Sequence, residues 1–249
     1  MVFLLFTIMK TFKYIFTTII LSSLIISMVQ AQDTRVLIFT KTKGFRHQSI
    51  EKGREVLTEL LLAKNIQVDS TENSDLFTTR NLQKYNALIF LNTTGDLFNE
   101  KQQQALVKYI QGGGGYVGIH ASTDAEYDWP WYGKMAGGYF KSHPKQQEAV
   151  VKVIDKTHPS TRMLPDQLKR FDEWYNFKEV NPDIKVLAKL DETSYEGGEM
   201  NNNHPIIWYH EFEGGRVFYT GFGHTDETFD EPLFREHVMG GIEYAIGKK

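Results

Sequence analysis

Ala87-Leu88-Ile89-Phe90-Leu91, then Asn99 to Gln111, then Tyr116-Val117-Gly118-Ile119-His120 read as strand, helix and strand. The first and last runs are unbroken and apolar, the pattern of strands covered on both faces. Between them Asn99 suits a helix cap, and Ala105, Leu106, Val107 and Ile110 recur on one helical face before Gly112 to Gly115 end it. Two parallel strands joined by a helix form a right-handed crossover unit.

The same unit repeats upstream. Arg35-Val36-Leu37-Ile38-Phe39-Thr40 reads as a buried strand, Ser49 caps a helix running to about Lys64, and Ile66-Gln67-Val68 starts a second strand. Alternation of this kind predicts an α/β fold with a doubly wound, mostly parallel sheet of flavodoxin-like type. Downstream, Trp129 to Val180 is aromatic and irregular, with a strand at Ala149 to Ile154 and a short helix or turn within Asp166 to Tyr175. Lys185 to Leu190 is a further strand. Ile206 to Glu211 and Arg216 to Gly221, separated by Phe212-Glu213-Gly214-Gly215, form a late β-hairpin, and Leu233 to Ile246 closes as an amphipathic helix.

Lys10 and Lys13 precede an uncharged apolar run from Ile15 to Val29, and Val29-Gln30-Ala31 has the small residues of a cleavage site. Residues 1–31 therefore read as a secretory signal peptide, with Met9 an equally good start, and the protein is expected to be periplasmic or secreted. The membrane would be met only through that segment before cleavage. Removing 31 of 249 residues leaves 218, one domain from Gln32 to Lys249, with 26 basic against 31 acidic residues. This balance gives no reason to expect nucleic acid. The absence of cysteine excludes disulfides, Cys-ligated metal and any cysteine nucleophile. Gly112 to Gly115 precedes a strand and not a helix, so no nucleotide cofactor is expected.

In open α/β sheets ligands bind beyond the carboxyl ends of the strands. Lys41, Lys43, Phe45, Arg46 and His47 follow the first strand, and Asn92, Thr93, Thr94 and Asp96 follow the third. His120, Ser122, Thr123 and Asp124 follow the fourth; His224, Thr225, Asp226 and Glu227 follow the hairpin. Gly118-Ile119-His120-Ala121-Ser122 has the form of a nucleophile elbow with histidine at its apex. Imidazole there suits general acid/base work or metal ligation, or simply a hydrogen bond that holds a tight turn. The aromatic cluster of Tyr127, Trp129, Trp131, Tyr132, Tyr139 and Phe140, with Trp174 and Tyr175, either stacks on sugar faces or caps the sheet. Asp172-Glu173-Trp174-Tyr175 sets a carboxylate pair among rings, functional or solvated on a turn.

Phe39-Thr40-Lys41-Thr42-Lys43-Gly44-Phe45-Arg46-His47 and Gly118-Ile119-His120-Ala121-Ser122-Thr123-Asp124 resemble the ThuA-like (trehalose utilisation) family. So do Trp129-Pro130-Trp131-Tyr132-Gly133, Ser142-His143-Pro144, Asp172-Glu173-Trp174-Tyr175 and the run from Gly215 to Thr225. The resemblance spans residues 35 to 246 and implies a class I glutamine amidotransferase-like fold. It implies that His120 stands at the elbow cysteine and that His224, with Asp226 or Glu227 beside it, stands at the late histidine. Glutamine hydrolysis through a thioester cannot operate without cysteine, so the fold carries over and that chemistry does not. The family further implies work on disaccharides, in pathways where sugars are oxidised to 3-keto forms.

The expectation is an exported carbohydrate enzyme acting on a glycoside or 3-keto-sugar, with His120 and His224 as acid/base pair and Glu173 as partner. Arg46, His47, Asn92, Thr93, Ser122, Asp124, Trp129, Trp131, His143, Trp174 and Tyr175 are the candidate substrate contacts. One alternative is a noncatalytic sugar-binding protein with a degenerate amidotransferase site. Another is a metal-dependent hydrolase or isomerase whose divalent ion is held by His47, His120 and His224.

Overall fold

Alternate side chains of a strand point to opposite faces, so a strand apolar at every position needs cover on both. A computed structural model, describing residues 34–247, meets that need for β1 (Arg35–Phe39), β3 (Ala87–Leu91) and β5 (Gly115–Ile119). The signal-peptide segment lies outside the described residues. On one face Val36, Ile38, Ile89 and Ile119 pack against Val56, Leu57 and Leu61 of α1 (Ile50–Ala63). On the other, Leu37, Phe39, Leu88 and Phe90 pack against Leu106 and Ile110 of α3 (Glu100–Gln111), with the short α2 (Thr79–Leu82) beside it. Asn99 and Gln102 close a capping box at the start of α3. Each such leucine is wholly buried, and truncation to alanine would cost about 2–5 kcal/mol.

A nine-stranded sheet runs in the order β2-β1-β3-β5-β13-β12-β11-β8-β9, where β2 is Gln67–Thr71, β8 Gln147–Val153, β9 Gln167–Asp172, β11 Lys185–Leu190, β12 His204–Phe212 and β13 Gly215–Thr220. The pairs from β2 to β13 are parallel and those from β13 to β9 antiparallel. The expected doubly wound sheet is present, and the late hairpin contributes its second strand to the parallel half. Its turn, Glu213-Gly214, has φ of +47° and +98°, the left-handed pair that a two-residue hairpin loop requires. Leu91, Ile119 and Thr220 stand in one row across β3, β5 and β13. The loops after these strands therefore start level with one another. α5 (Asp226–Asp230) and α6 (Pro232–Ala245) follow β13, and Phe234, Val238 and Ile242 of α6 join the face covered by α1. No helix among the described residues is long and apolar enough to cross a membrane.

Two expectations need correction. The stretch from Asp166 to Tyr175 is not a helix or turn: it contains β9, paired antiparallel with β8 from Gln147↔Asp172 to Lys152↔Gln167. Its alternation is inverted, with Arg170 and Asp172 buried and Phe171 half exposed, so hydrophobicity alone hides the period of two. The fifth strand ends at Ile119, and His120 opens a tight helical turn to Thr123 with φ +48°. The irregular middle also holds α4 (Pro130–Ala136) and a two-stranded ribbon of β7 (Tyr139–Ser142) with β10 (Asn176–Lys178). Two two-residue strands, β4 (Thr94–Gly95) and β6 (Asp124–Ala125), pair beside the site.

The antiparallel half curls. β9 lies four strands from β13, about 19 Å along a flat sheet at ~4.8 Å per strand. Yet the Asp172 carboxylate accepts the backbone N–H groups of Gly223 and His224 at 3.3 and 3.2 Å. The three residues from Thr220 to Gly223 reach only about 10 Å. Sheet twist must supply the remainder.

Candidate active site

His120 owes its position to a strained corner. A non-glycine residue at positive φ is uncommon, and several contacts hold this one. Its carbonyl accepts from Tyr219 Oη at 2.8 Å, and the Ala121 N–H donates to Asn92 Oδ1 at 3.2 Å. Gly118 is required below it, because a Cβ there would come within 2.5 Å of Ser122 Oγ. The His120 ring is fully buried, and Nδ1 lies 3.0 Å from the Gly221 carbonyl. A carbonyl only accepts, so Nδ1 carries the proton and Nε2 presents a lone pair.

His224 and Glu173 come from opposite halves of the sheet, and Asp172 holds both. Asp172 Oδ1 accepts the Glu173 N–H at 2.9 Å and the His224 N–H at 3.2 Å, while Oδ2 faces Arg170 Nε at 3.3 Å. The result is a triangle of donor atoms. Glu173 Oε2 lies 3.4 Å from His120 Nε2 and 3.1 Å from His224 Nδ1, and the two nitrogens are 3.2 Å apart. His47, at the end of the loop after β1, packs edge-on against both rings at 5.0 and 5.1 Å, with Nδ1 buried and without a partner. One donor atom from each of His47, His120, Glu173 and His224 lies within 4.8 Å of all the others. Three strands of the parallel half and one of the antiparallel half thus meet at one point.

The electrostatics follow from burial and crowding. Burial works to raise the Glu173 carboxyl, but the hydrogen bonds and charge of His120 and His224 outweigh it and hold the group well below the usual carboxylate range. Burial, with the neighbouring His120 and His224, pushes His47 down to about 3, so it is neutral near pH 7. Burial also raises Asp124, whose carboxylate accepts from Tyr127 Oη at 2.6 Å. His224 Nε2 meets Gln146 Nε2 at 2.6 Å. Beyond it opens a cavity of about 330 Å³ lined by Phe45, Gln48, Ser49, Gln146, His224, Thr225, Asp226 and Glu227.

The remaining sequence candidates divide by position. His143 joins the cluster from outside, its Nδ1 3.3 Å from Glu173 Oε1, and the Tyr175 ring lies 4.4 Å from that of His120. Asn92 is buried as a brace, donating to Ser49 Oγ and the Gly223 carbonyl at 3.0 and 3.1 Å. Thr93 and Ser122 are also buried, each with an unpartnered hydroxyl. Arg46 pairs with Glu51 and Glu72 at 2.8 and 2.9 Å. Trp129 and Trp131 stack on each other, and Trp131 Nε1 donates to Glu213 in the hairpin turn, at the opposite edge of the sheet. Trp174 is a core ring bonded to the Gln147 carbonyl. The acid beside His224 is Glu173, whereas Asp226 begins α5 and its Oδ2 faces Gln48 at 3.5 Å. Sequence reasoning missed Gln146 and the bracing role of Asp172. The one available signal for Asp172 was its inward register beside Arg170.

A family model for trehalose utilisation, ThuA, matches residues 35–245. The chain belongs to the ThuA family. Its fold is that of a putative ThuA-like protein from Bacteroides uniformis, at 24% identity and TM-score 0.75, covering 90% of this chain and 95% of that one. A putative ThuA-like protein from Parabacteroides merdae aligns at 20% identity and TM-score 0.71, covering 87% and 91%. A β-galactosidase from Bacillus circulans shares the fold over 31% of its own chain at 12% identity and TM-score 0.56, with 86% of this chain covered. No curated protein sequence matches. The ThuA motifs around His47, His120, Glu173 and His224 are the ones that converge.

Proposed function

We propose that this ThuA-family chain is an exported enzyme of carbohydrate metabolism, acting on a glycoside or 3-keto-sugar at the His120–Glu173–His224 centre. The observation that carries the reading is the convergence of Glu173 Oε2 on His120 Nε2 and His224 Nδ1 at 3.4 and 3.1 Å beside a cavity of about 330 Å³. That cavity has the character of a sugar site. Phe45 offers an exposed ring at its rim, and Gln48, Gln146, Asp226 and Glu227 offer planar polar groups for hydroxyls.

A 3-keto group acidifies the C–H bonds beside it, so imidazole-assisted proton transfer followed by elimination or isomerisation becomes feasible near neutral pH. His224 presents Nε2 toward the cavity and is the side chain placed to exchange a proton with substrate. Glu173 fixes its orientation from Nδ1, and His120 lies behind with Nδ1 bound to the Gly221 carbonyl. His143, half exposed, meets the other oxygen of the Glu173 carboxylate.

The test is product analysis with disaccharides and their 3-keto forms, using the wild type, His120→Ala and His224→Ala, with near-ultraviolet circular dichroism as a check on folding. Both folded variants should lose turnover. Retained turnover in either removes that histidine from the reaction, and binding without conversion by the wild type points to a noncatalytic sugar-binding protein.

A further inference from the structure

We infer that His47, His120, Glu173 and His224 form a binding site for a divalent cation of zinc type. The inference rests on the proposed function only for what the ion would do; binding itself is a separate property.

The argument starts from lone pairs. His120 Nδ1–H is committed to the Gly221 carbonyl, so its Nε2 can only accept. Nε2 faces Glu173 Oε2, also an acceptor, and His224 Nδ1. One proton on His224 Nδ1 can serve one of these acceptors well. A cation at their centre serves all three at once, where side-chain exposure is 0%, 7% and 15%.

Geometry agrees. A tetrahedral zinc site with bonds of about 2.0–2.1 Å has ligand–ligand edges of about 3.3–3.4 Å. The three edges here are 3.1, 3.2 and 3.4 Å. His47 adds an independent observation: it is 97% buried, its Nδ1 has no partner, and one of its ring nitrogens lies within 4.8 Å of the other three donors, so it would close by up to about 1.4 Å to reach a tetrahedral edge.

The surroundings match a ligand shell as well. Ligating histidines use their other ring nitrogen to bond a carbonyl or side chain, which fixes tautomer and orientation. His120 has the Gly221 carbonyl, and His224 Nε2 has Gln146 at 2.6 Å. With its amide turned over, so that Oε1 stands where Nε2 does, Gln146 would accept the proton of His224 Nε2 and leave Nδ1 bare. Glu173 Oε1, the oxygen outside the triangle, faces His143 Nδ1 at 3.3 Å. Three imidazoles and one carboxylate favour zinc over magnesium or calcium, which take oxygen ligands. Held by these four side chains, the ion would fix the geometry of the centre, with His224 Nδ1 on the ion and Nε2–H on Gln146, and a free coordination position for a substrate oxygen would require His47 to withdraw.

The experiment uses the exported chain made without a histidine tag, stripped by chelator, then titrated with Zn²⁺ against a chromophoric competitor and separately with Co²⁺. One equivalent should bind with Kd below about 1 µM, and Co²⁺ should give the strong visible bands of a four-coordinate site. Glu173→Gln, which keeps the shape of the side chain, and His47→Ala should each weaken affinity by about 100-fold or more. Folded wild type that takes up no stoichiometric zinc overturns the inference, as does undiminished affinity in folded Glu173→Gln. Sugar turnover by metal-free protein that also fails to bind zinc overturns it while leaving the proposed function standing. Stoichiometric zinc without sugar turnover upholds it and removes the carbohydrate reading.

Discussion

Asp172→Asn should damage both stability and site, although Asp172 need touch no substrate. The carboxylate is fully buried. Oδ1 accepts the N–H groups of Glu173 and His224 at 2.9 and 3.2 Å. Oδ2 accepts from Gly223 N–H at 3.3 Å, Arg170 Nε at 3.3 Å and the Thr228 hydroxyl at 3.4 Å. An asparagine has one oxygen for these two sets of donors. If the oxygen keeps Glu173 and His224, the amide nitrogen faces Gly223 N–H and Arg170 Nε–H, while the Thr228 hydroxyl can rotate to accept. Two buried donors then go unsatisfied at about 1–3 kcal/mol each. Arg170 retains Glu231 and Thr228, which places the estimate toward the lower half, about 3 kcal/mol.

For a domain of this size that corresponds to a fall in Tm of about 6–12 °C. The opposite amide orientation moves the fault to Glu173 and His224, where it would open the triangle directly. The assays are thermal and urea unfolding followed by circular dichroism, with turnover measured at a temperature where the variant is folded. A Tm within about 1 °C of wild type, together with unchanged turnover, would refute the view that this carboxylate ties the two halves of the site together.

Three other outcomes follow from the same structure. Gly118→Ala would place a Cβ 2.5 Å from Ser122 Oγ and 3.0 Å from Tyr219 Cδ2, costing about 1–3 kcal/mol, read as a lowered urea midpoint; an unchanged midpoint would show that the corner has slack. Burial pushes the His237 imidazole down to about 4, so its stabilising contribution is fully present above the unfolded value of about 6.5 and lost as pH falls from there to about 4. Near 25 °C that is about 3 kcal/mol for this one group, and unfolding free energy should decline through pH 6 and 5, more shallowly in His237→Gln. Phe45→Ala removes a ring that is 66% exposed at the cavity rim, and should weaken sugar binding about 3–10-fold with no change in Tm. Equal affinity, measured by calorimetry, would exclude the ring as a stacking platform.

What the sequence made legible follows from how local each signal was. Val36 to Phe39, Ala87 to Leu91 and Tyr116 to Ile119 are uniformly apolar because both faces are covered, and that is visible without knowing the partners. Three histidines after three strands then fall together by topology alone, since parallel strands end at one edge. Arg46 shows the opposite case: its charge is visible, but its pairing with Glu51 and Glu72 depends on loop and helix geometry. Trp129 and Trp131 sit close to the elbow in sequence, yet α4 carries them toward the hairpin turn. β9 was illegible because its inward face is a buried Arg170–Asp172 pair, which inverts the polarity that strand reading relies on.

The placement of Glu173 also decides how far the amidotransferase comparison extends. In a relay triad the acid and the nucleophile occupy opposite nitrogens of the histidine between them. Here Glu173 Oε2 and His120 Nε2 both face Nδ1 of His224, at 3.1 and 3.2 Å, while Nε2 faces Gln146 and the cavity. A relay from Glu173 through His224 therefore leads into the cavity and not to the residue at the elbow. His120 keeps its Nε2 lone pair aimed at the same point as the other two donors. At the elbow His120 closes a triangle of donor atoms with Glu173 and His224, and the curled antiparallel strands supply its carboxylate.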